Sequence, residues 1–269
     1  MREGRLLERA ARELREGPLH TLDLAREVLG LEGNPGAASA AVFTLLRSDA
    51  RFRVDREGVW KLRDGVEGPG RSLRDEAYAV VDVETTGTSH RRGARITEVA
   101  VVEVRNGIVG DTFRTLVNPG RAIPPRISEM TGITDEMVSV APYFDHVADE
   151  VLRRLSGRVF VAHNVSFDWG FVSSQLAEAV GEVPDGPRLC TVRMARRLVP
   201  GLRKRNLDAV TAHYGIDVEA RHRAYGDALA TARILLRLLD EAEARGVGTL
   251  GTLKLLLAGE LPARGTPEE

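Results

Sequence analysis

Asp82 and Glu84 stand one residue apart at the end of an apolar, β-branched run, Tyr78-Ala79-Val80-Val81-Asp82-Val83-Glu84-Thr85-Thr86-Gly87. Successive strand side chains alternate between faces, so this spacing puts both carboxylates on the same face. Anions that close resist ionising together. Either water solvates them at an ordinary strand end or a cation offsets their charge. Oxygen-only ligands suit a hard ion, Mg²⁺ or Mn²⁺, rather than zinc.

Two later clusters offer partners for that pair. In His163-Asn164-Val165-Ser166-Phe167-Asp168 a short strand passes into a helix, and Asp168 falls in its first turn. A negative side chain there is either an ordinary N-terminal acid facing the helix dipole or a ligand. Phe167 reads as a core ring or as a rim on which a base stacks. His163 reads equally as a satisfied structural histidine, and Asn164 either ties down the loop or holds a substrate. In His222-Arg223-Ala224-Tyr225-Gly226-Asp227-Ala228 a loop histidine precedes a helix that opens on a carboxylate. An imidazole that titrates near neutrality can take a proton from water whose pKa a cation has lowered. Together Asp82, Glu84, Asp168, Asp227 and His222 make four carboxylates and one histidine. Two cations roughly 3.5–4 Å apart, clamping a phosphodiester, need about that many acidic oxygens.

The elements that position these residues form an α/β domain over 77–240. The strand of Asp82 is followed by a second, Ile96 to Val104, then Asn106-Gly107, the strongest short hairpin signal, and a third strand, Ile108 to Val117. The pattern turns helical from Ser128. Thr134 caps a short helix, Pro142 opens a longer one through Leu155, and Arg158 to Ala162 is a short buried strand. Helices are expected over Phe167 to Val180, Thr191 to Leu198, Asn206 to Tyr214 and Tyr225 to Asp240. Strands first and helices later predict a mixed sheet covered by helices.

Residues 1–65 read as a separate module. Leu6, Leu7, Ala10, Ala11 and Leu14 mark a first helix, Thr21 caps a second, and a third follows Gly33-Asn34-Pro35-Gly36. The period then changes to two: Phe52, Val54, Trp60 and Leu62 alternate with Arg51, Arg53, Lys61 and Arg63 around a turn. Three helices and a basic-faced hairpin resemble a winged helix, which would dock either on DNA or on a protein. Residues 66–76, rich in glycine with Pro69, read as the linker. Residues 241–269 read as a helical extension with a frayed tail.

The composition narrows the setting. With 38 basic and 39 acidic residues the net charge announces no nucleic-acid partner, so such a site must be local. The single Cys190 excludes an intramolecular disulfide and a cysteine zinc site. No signal peptide or membrane span is read, and a reducing cytoplasm is the expected location. From Gly186 to Leu207 there are seven basic residues and no acidic one. Arg193, Arg196 and Arg197 read either as phosphate contacts or as a solvated helix face, and Arg203-Lys204-Arg205 as a loop for phosphates.

Asp82-x-Glu84-Thr85-Thr86-Gly87, His163-Asn164-x-x-Phe167-Asp168 and His222-x-Ala224-x-x-Asp227-Ala228 resemble the three motifs of the DEDDh 3′–5′ exonucleases, the group of the proofreading epsilon subunit of bacterial DNA polymerase III. Ile127-Ser128-x-x-Thr131-Gly132-Ile133-Thr134 and Asn206-Leu207-Asp208 also resemble stretches of that group. The resemblance implies an RNase H-like mixed five-stranded sheet of three antiparallel strands plus parallel ones. It implies two divalent cations: Asp82, Glu84 and Asp227 at the first, Asp82 at the second, Asp168 acting directly or through water, and His222 as general base. Thr85, Thr86, Asn164 and Phe167 would line the pocket for a terminal nucleotide. The chain departs from the pattern at Trp169-Gly170, which puts bulk beside Asp168. The implied activity is stepwise hydrolysis from the 3′ end of single-stranded DNA, releasing nucleoside monophosphates. RNA, or binding without catalysis, are the alternatives. Residues 1–65 lie outside the resemblance and would serve DNA or a polymerase or other replication or repair partner.

Overall fold

The computed structural model describes residues 2–47, 49, 51–62 and 71–260. They form two compact units, Met1–Leu73 with Glu241–Glu269, and Arg74–Asp240.

The first unit begins with α1 (Arg2–Glu16), β1 (Leu19–His20), α2 (Thr21–Leu29), α3 (Pro35–Leu46), β2 (Phe52–Val54) and β3 (Val59–Leu62), with the strands ordered β1-β3-β2. Ala10, Leu14, Leu24, Val28, Val42, Leu46, Phe52 and Trp60 form its core. Asn34 caps α3 by accepting the Gly36 and Ala37 N–H groups. Two expectations need correcting. The cap of α2 is His20, whose Nδ1 accepts the Leu22 N–H, because the Thr21 hydroxyl is engaged elsewhere: it donates to the Gly58 carbonyl and accepts the Trp60 indole N–H. Arg51 does not belong to a basic face either. It is 7% exposed and held by Asp49 at 2.7 Å, since a guanidinium entering the core needs its counter-charge. Arg63, residues 66–70 of the expected linker and the tail 261–269 lie outside the described residues.

The second unit contains β4 (Ala77–Thr85), β5 (Ile96–Arg105), β6 (Ile108–Leu116), α4 (Pro125–Thr131), α5 (Asp135–Ser139), α6 (Phe144–Leu155), β7 (Val159–Ala162), α7 (Val165–Val180), β8 (Arg188–Cys190), α8 (Thr191–Leu198), α9 (Leu207–Tyr214) and α10 (Ala224–Glu243). Its strands run β6-β5-β4-β7-β8. The pairs β4–β5 and β5–β6 are antiparallel, whereas β4–β7 and β7–β8 are parallel. This is the mixed five-stranded sheet expected, with β8 as the fifth strand. Asn106 and Gly107 both take positive φ, 53° and 71°, as a two-residue hairpin turn requires.

Side-chain alternation places Val81 and Val83 in a core with Val99, Val101, Phe144, Val151, Phe171 and Leu176. The opposite face of β4 carries Tyr78, Val80, Asp82 and Glu84. Thr134 caps α5 through the Met137 N–H. Several element ends differ from expectation by a residue or two: α6 starts at Phe144 rather than Pro142, α7 at Val165, and Asn206 stands at the cap of α9.

In the first unit's C-terminal portion, α11 (Leu250–Ala258) carries a reciprocal cap between Thr249 and Thr252, and the Leu73 N–H donates to the Gly248 carbonyl at 2.9 Å. Among the described residues no helix is long and apolar enough to cross a membrane.

Candidate active site

The site begins where β4 loses its neighbours. Pairing with β7 ends at Val80↔Val161, and a bulge between Glu84 and Thr85 breaks the register with β5. Bulges re-aim side chains at sheet edges, and this one falls beside the two carboxylates. The Val83 N–H, beyond the last β7 pair, donates to Asp168 Oδ1 at 3.2 Å. That bond brings the first turn of α7 against the strand. Asp227, in the first turn of α10, completes the group: one carboxylate oxygen each from Asp82, Glu84 and Asp227 lie within 4.8 Å of one another.

A second acid fixes the approach of α10. Glu98 on β5 faces Glu84 across the sheet, is 4% exposed, and accepts the Ala224 N–H at 3.0 Å and the Arg223 guanidinium at 2.8 and 3.0 Å. A buried carboxylate needs such donors, and supplying them pins the start of α10 to the strand next to β4.

Asp82, Glu84, Asp168 and Asp227 line a cavity of about 230 Å³ together with Thr85, Thr88, Ile127, Met130, His163, Asn164 and Phe167. Asp168 and Asp227 are only 3% and 5% exposed. Burial is the largest cause raising all four carboxyl pKa values. Asp82 is pushed well up, with Asp168, Glu84 and Asp227 adding repulsion. Glu84 rises to about 7, and Asp168 to about 8 despite backbone N–H groups that favour its anion. Asp227 is also raised, against the pull of Arg221.

The donor set therefore suits a hard divalent cation. Four carboxyl groups converge at a cost that a positive charge removes without protonating them, and the buried Asp227 Oδ1 has no hydrogen-bond partner among the described residues.

The remaining candidates fall into two groups. Thr85, Asn164 and Phe167 line the cavity. Asn164 takes a left-handed backbone, φ 84°, which asparagine tolerates, and makes no side-chain cap bond to α7. Phe167 meets both of its readings, packing its ring 5.0 Å from Phe171 while it borders the cavity. Thr86 does not line it; its hydroxyl accepts the Arg95 N–H and shapes the turn after β4. His222 stands half-buried on the loop before α10, beside Asp227 but outside the cavity wall. Arg203 and Lys204 are exposed on the loop before α9, whereas Arg205 is half-buried and donates to the Arg203 carbonyl.

His163 ties that loop to the site. Its Nε2 meets the Arg205 carbonyl at 2.9 Å and its Nδ1 the Thr191 hydroxyl at 2.8 Å. Since the carbonyl can only accept, the proton lies on Nε2. Burial lowers the His163 pKa to about 4. The Trp169-Gly170 departure faces away from the cavity: Trp169 packs on Phe160 and under Arg188, and Gly170 makes room for His90. Glu98, Arg221, Ile127 and Met130 belong to the site's surroundings without having been singled out as site residues. An acid among the β-branched residues of strand 96–105, which also carries Glu103, was the available signal for Glu98.

The comparisons with known proteins agree with this geometry. The exonuclease family (RNase T type) matches residues 79–235, more than half of the chain. The DNA polymerase III epsilon subunit of Aquifex aeolicus is 34% identical over 190 residues, covering 70% of this chain and 94% of that protein. The 3′–5′ exonuclease DinG of Bacillus subtilis is 36% identical over 184 residues, but the match spans only 20% of its length, and for a PolC-type DNA polymerase III of Clostridium perfringens only 13%. Among solved structures, exonuclease X in complex with 5′ overhanging duplex DNA superposes with a TM-score of 0.51 at 28% identity, over 62% of this chain and 93% of that one. E. coli exonuclease I with a dT13 oligonucleotide shares the fold, TM-score 0.55 at 18% identity, over 63% of this chain and 42% of its own. With the acidic cavity formed by β4, α7 and α10 inside the matched span, the chain belongs to the exonuclease family.

Proposed function

We propose that the protein is a divalent-cation-dependent 3′–5′ exonuclease that removes nucleoside monophosphates from single-stranded DNA ends. The observation that carries the reading is the convergence of Asp82, Glu84 and Asp227 within 4.8 Å beside buried Asp168, in a cavity of about 230 Å³. Asp82, Glu84 and Asp227 would hold the cation, with Asp168 alongside and Asp82 serving a second. When bound, a divalent cation lowers the pKa of a water nucleophile and stabilises charge on the phosphodiester oxygens.

The chain's own groups do the rest. His222 takes the proton of the attacking water, its loop position beside Asp227 keeping the imidazole at the edge of the cation site. Phe167 and Met130 present apolar surface to the terminal base, and Thr85 and Asn164 offer polar contacts to the sugar end. Thr86 shapes the loop that carries them. Arg203 and Lys204, with Arg205 holding the loop, receive upstream phosphates as the strand enters. DNA is favoured over RNA by the similarity to an epsilon subunit and to exonuclease X. The first unit would place the enzyme on a replication or repair partner: exposed α3 residues Ala37, Ala40, Phe43 and Thr44 carry no charge for a phosphate backbone, which favours a protein. We place the enzyme in the cytoplasm.

The test is a 5′-labelled single-stranded oligonucleotide, as DNA and as RNA, with Mg²⁺ or Mn²⁺, with EDTA, and with Asp82→Ala and His222→Ala. A ladder shortening from the 3′ end, lost with EDTA and with either variant, is expected. No shortening of either polymer would overturn the reading.

A further inference from the structure

The cluster of acids contains a cation of its own. Arg221 lies between two non-glycine residues with left-handed backbone, Ala220 (φ 52°) and His222 (φ 60°). Such conformations persist only where the surroundings impose them. Here the loop is pressed onto the first turn of α10. A Cβ at Gly226 would lie 2.6 Å from the Ala220 carbonyl and closer still to that of Glu219. From this fixed position the guanidinium spans two carboxylates. Nε donates to Asp208 Oδ1 at 2.6 Å, and Nη1 donates to Asp227 Oδ2. The two partners differ in setting: the Asp227 side chain is 6% exposed and that of Asp208 is 62% exposed.

Asp227 is thus shared. Its Oδ2 is held by the arginine and its buried Oδ1 has no partner among the described residues. A dication on Oδ1 and a guanidinium on Oδ2 would face each other across the width of one carboxylate, where like charges repel strongly in a partly buried site. Arg221 also lowers the pKa of Asp82, Glu84 and Asp227, so its charge is felt by three of the four acids.

We propose that Arg221 stands in for the divalent cation in the metal-free protein and gives up Asp227 when the cation binds, staying on Asp208, so that the Arg221–Asp208 pair sets the concentration at which the site loads. This rests on the exonuclease reading of the site. The arginine lets an acidic cavity fold without metal, at the expense of affinity for it.

The experiment is calorimetric titration of Mn²⁺ into the full metal-free chain, for wild type, Arg221→Gln, Arg221→Lys, Asp208→Asn and the double variant. Arg221→Gln, which leaves a shorter polar side chain without the charge, should bind Mn²⁺ roughly tenfold to hundredfold tighter, the worth of a charged hydrogen bond no longer broken. Arg221→Lys should stay near wild type. Asp208→Asn should bind several-fold more weakly, because the displaced arginine loses its second partner. That weakening should vanish in the Arg221→Gln background, which distinguishes an exchange from plain through-space attraction. Equal or weaker affinity in Arg221→Gln, or an Asp208→Asn effect that persists without the arginine, would overturn the proposal. If Arg221→Gln does not fold, unchanged affinity in Asp208→Asn overturns it instead. Wild type is assayed in parallel for release of nucleotides: binding and activity with no arginine effect discard only the exchange, while neither binding nor activity discards the nuclease reading too.

Discussion

Replacing Glu84 by glutamine should make the metal-free protein more stable while disabling it. Burial, then the charges of Asp227 and Glu98, lift the Glu84 ionisation from an ordinary 4.5 to about 7. A carboxyl whose folded pKa is raised contributes stability that is present in full below about 4.5 and lost as pH rises through about 7. The gap is worth at most about 3 kcal/mol, and the water Glu84 still meets reduces this to about 2 kcal/mol. At pH 8 the wild type carries that cost in its folded state. The glutamine keeps the shape and removes the charge.

For a unit of this size about 2 kcal/mol corresponds to a rise of roughly 4–8 °C in Tm. Calorimetry in EDTA at pH 8 and at pH 5, following the transition of the second unit, is the measurement. At pH 5 Glu84 is protonated in the fold but still partly ionised in the unfolded chain, and the advantage should shrink to roughly a third. Added Mn²⁺ should reverse the order at pH 8, because only the wild type keeps all the ligands. A glutamine variant no more stable than wild type at pH 8 in EDTA would refute the idea that charge repulsion and burial strain this site.

The wild-type gain in Tm from Mn²⁺ should itself be larger at pH 8 than at pH 5.5, since Glu84 and Asp168 must lose their protons to bind; a pH-independent gain would place the cation elsewhere. Gly226→Ala should push the 219–222 loop off α10, lowering stability by about 1–3 kcal/mol and nuclease activity with it, read by thermal unfolding and by the oligonucleotide assay. Glu98→Gln breaks the paired hydrogen bonds to Arg223 and should cost about 1–3 kcal/mol, with a fall in activity although Glu98 is no ligand. Arg203→Ala and Lys204→Ala should each raise KM for single-stranded DNA with little change in kcat and flatten the salt dependence by about 0.7 in logarithmic slope; unchanged KM would remove the loop from the strand's path.

The residues that were readable in sequence are those whose role follows from local pattern. Asp82 and Glu84 follow from period-two alternation, Asp168 and Asp227 from helix starts, and the Asn106-Gly107 hairpin from its own backbone requirement. What escaped depends on contacts between distant segments. Thr21 reads as a cap until Gly58 and Trp60, nearly forty residues on, claim its hydroxyl. Trp169 reads as bulk at the pocket until Phe160 and Arg188 take it into packing.

Arg221 is the sharpest case. In the string Arg221-His222-Arg223 the two arginines look alike, yet the fold sends them to different tasks. Arg223 goes to Glu98 and fixes α10, His222 stays half-buried on the loop outside the cavity wall, and Arg221 enters the acid cluster. Nothing in the spacing separates the two arginines, because their directions are set by a loop with two left-handed residues pressed onto α10. Motifs name the anions of such a site because cation chemistry demands those residue types. The positive charge that makes the same cavity foldable before the cation arrives can come from any loop within reach, so its identity is a property of the packing and not of the motif.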